Sequence, residues 1–179
     1  MIDQILTFVT AELAKHIAIP NPQAVPIPVL ANPARIPQDA SLENRLIVSL
    51  AGLEREPMAA NSPIPTRPGD GTFVHSPLHL NLLVTLAANY PENYPLGLKV
   101  LSSAIRILHD YPQMTRQSHP DLPAGLQDLS IEWHDTQNNT AQAPQSLSDR
   151  MLPFAMYKIR SIAIDENGAD ISVRPVTKS

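Results

Sequence analysis

Leu78-His79-Leu80-Asn81-Leu82-Leu83-Val84-Thr85-Leu86 is the stretch on which the fold turns. Leu78, Leu80, Leu82, Val84 and Leu86 fall on one side of a two-residue period, with His79, Asn81 and Thr85 on the other, so this is a strand with one face against a core. The cover for that face is found on either side in the chain. Upstream, Ile5, Leu6, Val9, Leu13 and Ile17 recur at helical spacing, with Asp3 near the start and Lys15 and His16 at the end, where the helix dipole favours them. This predicts an amphipathic helix over residues 2–17. Downstream, Leu98, Leu101, Ile105 and Leu108 step by three, four and three between Pro95 near a helix start and Pro112 as a stop. A second amphipathic helix is expected over 95–110.

Further strands follow from the same test. Arg45 to Leu53 sets Leu46, Val48 and Leu50 against Ile47, Ser49 and Ala51, a strand with both faces largely covered. Leu129, Ile131 and Trp133 alternate, a short helical piece is expected around Ser146 to Met151, and Phe154 to Ile164 reads as another strand. Asp165-Glu166-Asn167-Gly168 reads as a tight turn, with Ile171 and Val173 on the returning strand of a terminal hairpin. No internal repeat and no regular βαβ alternation is present. The expected fold is α+β: a mostly antiparallel sheet with two amphipathic helices packed on one face. It forms a single domain over residues 1–179, with a Pro-rich extended segment at 19–43, a projecting loop at 56–76 and a C-terminal hairpin or arm at 165–179. The Pro-rich segment holds Val25, Ile27, Val29 and Leu30, which can lie along the body as an edge element.

Composition narrows the function. The 179 residues contain 19 prolines, about twice the usual share, and 6 glycines, about half of it, so stiff loops are expected and phosphate-cradling loops are not. A net charge of −4 is the reverse of the clustered basic surface that nucleic acid requires. No apolar run approaches the roughly 18 residues of a membrane helix, so no membrane insertion is expected. There is no cysteine for a disulfide, a thiolate metal site or a nucleophile. The opening Met1-Ile2-Asp3-Gln4 lacks a basic signal region, and the expected compartment is the cytoplasm.

Candidate chemistry is sparse. His75 and His79 have the spacing of a helical zinc pair, but Pro77 between them disfavours a helix, and surface or structural roles are the expectation. His109, His119 and His134 read as isolated. Glu54 with Glu56, and Glu132 with Asp135, sit at strand ends as solvated or salt-bridged edges, and Arg55 reads as structural or interfacial. Asp121 could meet His119 and a serine in space, but spacing alone supplies no geometry for a triad. No nucleophile elbow, Walker loop or dinucleotide-binding glycine pattern occurs. No catalytic, cofactor-binding or metal-binding residue is expected, and the chain is not expected to be an enzyme. The unpaired row of a terminal hairpin is a different signal, a template for another chain's strand. Ile171, Ser172, Val173 and Arg174 are its interface candidates, against the plainer reading of an edge strand protected by Pro175 and Lys178.

Several blocks carry a resemblance: Met1-Ile2-Asp3-Gln4-Ile5-Leu6-Thr7-Phe8; Val48-Ser49-Leu50 leading to Leu53-Glu54-Arg55-Glu56; Pro77-Leu78-His79-Leu80-Asn81-Leu82 with Ala87-Ala88-Asn89-Tyr90; and Tyr157-Lys158-Ile159-Arg160. In that order, over most of residues 1–165, they resemble the cap or tail-terminator proteins of phage-tail-like contractile injection systems. The resemblance implies a structural protein with a tail-terminator-like fold. It would form a homo-hexameric ring at the baseplate-distal end and end polymerisation of the inner tube, the contractile sheath or both. Its partners would be its own copies and the sheath or tube proteins, in the bacterial cytoplasm, with no cofactor. Strand exchange between sheath subunits would make the terminal hairpin a docking device. The alternatives are a small metal-dependent hydrolase built around His75, His79 and nearby carboxylates, and a monomeric peptide-binding adaptor using a sheet edge.

Overall fold

The computed structural model describes residues 1–19, 26–56, 78–126, 128–135, 147 and 151–164. The first helix, α1, spans Ile2–His16 and carries Asp3 in its first turn and Lys15 and His16 in its last. The Pro-rich segment supplies a three-residue strand, β1 (Pro28–Leu30), so part of it does lie along the body as an edge element. Two single 3-10 turns follow, Pro33–Arg35 and Ala40–Leu42, each opened by a side chain, Asn32 or Asp39, that accepts a backbone N–H two residues on. Then come β2 (Arg45–Arg55) and β3 (Leu78–Asn89), long neighbours in the sheet.

The second helix, α2, spans Tyr94–Asp110. Its start is set by Asn93, whose Oδ1 accepts from the Leu96 amide at 3.1 Å, and by Pro95 in the first turn. Three strands complete the sheet: β4 (Gln113–Thr115), β5 (Asp128–Trp133) and β6 (Phe154–Ile164). The order is β1-β2-β3-β6-β5-β4, with only the β1 pairing parallel. The fold is therefore the expected α+β, with both helices on one face. Among the described residues no helix is long and apolar enough to cross a membrane. The expected helical piece at 146–151 falls mostly, and the terminal hairpin wholly, outside the described residues.

The register assigns the faces. Leu46, Val48, Leu82, Val84, Leu86, Tyr157 and Ile159 join Ile5, Phe8, Val9 and Leu13 of α1 and Val100, Ala104, Ile107 and Leu108 of α2 in one buried cluster. Each fully buried aliphatic side chain there contributes roughly 1.5–3 kcal/mol before chain entropy is subtracted. The second face is not bare. Ile47 and Ala87 are fully buried under Ile36 and Leu42 of the 3-10 segment and under Leu147. Farther along, Ser49 and Thr85, opposite each other, are buried with their hydroxyls 2.6 Å apart. Farther still, this face becomes charged. His79, Asn81 and Thr85 are thus not a solvent face: Asn81 and Thr85 are buried, and His79 is half-buried.

Candidate functional site

Of the carboxylates expected at strand ends, Glu54, Glu56 and Glu132 are salt-bridged. On the second face, Lys158 Nζ lies 2.7 Å from Glu54 Oε2. Arg160 reaches two acids, Glu132 at 3.1 Å and the buried Glu56 at 3.5 Å. The hydrogen bond and charge of Glu132, then the charge of Glu56, push the guanidinium above its ordinary value. The register accounts for the cluster, since Ser130 pairs Arg160 and Glu132 pairs Lys158 on one face. Asp135 follows the end of β5 and is exposed.

His119 is not isolated. Its ring stands edge-on to Phe8 and Tyr111, and Tyr111 stacks on His16 at a centroid distance of 5.3 Å. The carboxylate of buried Glu12 sits between them, with Oε2 3.9 Å from His119 Nε2 and 4.0 Å from His16 Nε2. Lys15 bridges Glu12 at 2.6 Å and Asp121 at 3.1 Å, and those two hydrogen bonds, Glu12 first, push its ammonium above its ordinary value. Ser118 Oγ is 2.9 Å from His119 Nδ1 but also accepts from the Thr115 amide at 3.0 Å. A serine, a histidine and acids are thus gathered, as the sequence allowed. The serine is tied into its own turn and the ring is wedged between aromatics, so the arrangement clamps the segment after β4 onto α1.

The histidine pair does not form a described site: His79 lies on β3 opposite Ala163, and His75 is outside the described residues. Among the described residues no group of three His, Asp or Glu could hold a metal. His134 is buried at the end of β5, its amide donating to Met156 O at 3.0 Å. Ile171, Ser172, Val173 and Arg174 lie outside the described residues.

What the sequence reading missed is apolar. Ile131 and Trp133 share the helix-bearing face with Tyr157, the Trp133 ring meeting Tyr157 edge-on at 5.5 Å, yet Trp133 is 59% exposed. Between α2 and the sheet a notch of about 260 Å³ is lined by Ile105, Leu108, Pro112, Ile131, Trp133 and Tyr157, with His109 at its rim. Across the sheet, Leu50 pairs Val84 and Leu53 pairs Leu82, so both point to the same face as the helices. They are nonetheless 38% and 49% exposed, although Val84 and Leu82 opposite them are buried in the helix-packed cluster. The signal available was an alternation that ran longer than the helices meant to cover it.

A family model described as the Pvc16 N-terminal domain matches residues 4–178. No curated protein matches the chain.

Proposed function

The chain belongs to the Pvc16 N-terminal domain family, which makes it a contractile-injection-system-related protein, and from that premise we propose that it is the cap, or tail terminator, of such a particle. In this reading its copies form a six-membered ring at the baseplate-distal end, in the bacterial cytoplasm. The ring ends growth of the inner tube, the sheath or both, and it does so by fit, without a catalytic step or a cofactor. The observation that carries the reading is the extent of the match, residues 4–178, which takes in α1 but for its first two residues, α2 and the six described strands rather than one motif.

The physical logic is that of closure. Head-to-tail contacts that close into a ring stop growing, whereas the same contacts with a rise per copy continue as a filament. A terminator needs one surface that accepts the last layer of the polymer and another that offers no site for the next. The discriminating experiment compares particles assembled with and without this chain. Without it, tail lengths should spread or the sheath should fail to persist; tails of normal, uniform length in its absence would refute the proposal.

A further inference from the structure

Two apolar patches are left over on the same face of the sheet, at its opposite edges. At one edge β2 outruns its neighbour. β1 is paired only as far as Leu30 with Val48, and the exposed row then runs from Leu30, at 37%, to Leu50 and Leu53. The backbone bonds of β1 reach Leu46 N–H and Val48 C=O, so the next outward-pointing groups of β2 belong to Leu50, and among the described residues no strand covers them.

At the other edge β4 gives out at Pro112. Its carbonyl accepts from the Ile131 amide at 2.8 Å, but proline has no N–H to return to the Ile131 carbonyl. Two residues on, beside the notch, the outward backbone groups of Trp133 have no strand partner among the described residues. Both patches are flanked by a charge that makes no ion pair among the described residues. Arg55 stands two places beyond Leu53 on the same face, opposite Leu80. Asp110 is the last residue of α2, next to His109 at the rim of the notch, where the negative end of the helix dipole disfavours an acid.

We propose that these edges are the two halves of one head-to-tail contact between copies of this chain. The leucine row of one copy seats in the Trp133 notch of the next, Arg55 comes beside Asp110, and the open edges of β2 and β5 carry the sheet across the seam. The proposal deepens the ring reading and rests on it. One copy cannot satisfy itself, because β3 and β6 stand between β2 and β5, about 14 Å of sheet at the usual strand spacing. A second copy can. A sheet continued in plane keeps its helix-bearing faces on the same side, which brings row and notch together at the seam; patches on opposite faces would have been kept apart. A second copy of this chain is the occupant by the match of charge, with the cation Arg55 beside the ridge and the anion Asp110 beside the notch.

Trp133 is the chain's one tryptophan, so its fluorescence reports the seam directly. With the purified chain followed by sedimentation across a concentration series, assembly should shift its emission to shorter wavelength and protect it from acrylamide. Arg55→Asp and Asp110→Arg, both at exposed positions, should each weaken assembly by about tenfold, and the double reversal should restore it. Assembly with Trp133 emission unchanged, or a double reversal no better than the singles, overturns this contact and leaves the ring reading standing. A chain that stays monomeric at every concentration and is absent from particles overturns both.

Discussion

Gly97→Ala sets two opposing effects against each other at the point where α2 meets the end of β3. A Cβ at Gly97 would lie 3.0 Å from Tyr90 Cβ and 3.3 Å from its ring atoms Cγ and Cδ2. Helix propensity favours alanine over glycine by about 1 kcal/mol. Against this, overpacking a closed contact costs about 1–3 kcal/mol. Which wins depends on whether Tyr90 can give way. Its Cβ is bonded to the main chain one residue past β3, and the side chain is 6% exposed, so the crowded atom cannot swing aside as the tip of a lysine would. The clash should prevail, and Gly97→Ala should be destabilised by about 1 kcal/mol. A leucine there should cost about 3 kcal/mol. Urea unfolding followed by circular dichroism checks this: the midpoint should fall while the slope holds. An alanine variant as stable as the parent, or more so, would show that α2 slides over Tyr90 without penalty, and the packing argument for its position would fail.

Asn93→Ala removes the side chain that accepts the Leu96 amide, and should lower stability by about 1 kcal/mol, whereas Asn93→Asp should keep most of it; equal midpoints for parent and alanine variant would refute the cap. Burial pushes the Tyr157 phenol up to about 12 from an ordinary 10.0. Its folded value is above its unfolded one, so its contribution to stability is fully present below pH 10.0 and is lost as the pH rises toward about 12. Tyr157→Phe should therefore flatten the alkaline loss of stability, and an unchanged alkaline limb would contradict the assignment.

The helices and long strands were legible because each satisfies one strong local rule. Leu98, Leu101, Ile105 and Leu108 keep helical steps between two prolines, and α2 is observed at Tyr94–Asp110. Phe154 to Ile164 is observed with the bounds that alternation suggested. β1 and β4 were not called strands, since three residues hold too little of a two-residue period to stand out from coil. The second face of β3 was given no cover in the sequence reading for a different reason. Thr85 looks like a solvent residue by type, yet it is buried because Ser49, across the ladder, satisfies its hydroxyl. In the Glu12 cluster, Lys15 and His16 stand at helical spacing from Glu12, but the other half was beyond reach of any spacing rule: Lys15 and Asp121 are 106 residues apart and are joined only once the segment after β4 has folded back onto α1. Trp133 erred in the opposite direction, with a buried period but an exposed position.

That last error bears on assembly. An exposed alternation is what a core strand looks like when its cover has yet to arrive. Leu50, Leu53 and Trp133 all lie in register with residues buried in the helix-packed cluster, and all three are nonetheless exposed. Edge strands in isolated proteins are usually blunted by proline, charge or shortness. Both edges here are blunted in part, by Pro28 in β1 and by Pro112 before β4, which leaves open a window of a few residues on each side. So short a window binds weakly by backbone pairing alone, and any strand from any protein could compete for it. Seating a leucine row in a notch, with one charge matched on each side, adds affinity and rejects other edges by the same contacts. Removing the charges should therefore relax partner choice more than it weakens the fold, since Arg55 and Asp110 are exposed and hold nothing within their own copy among the described residues.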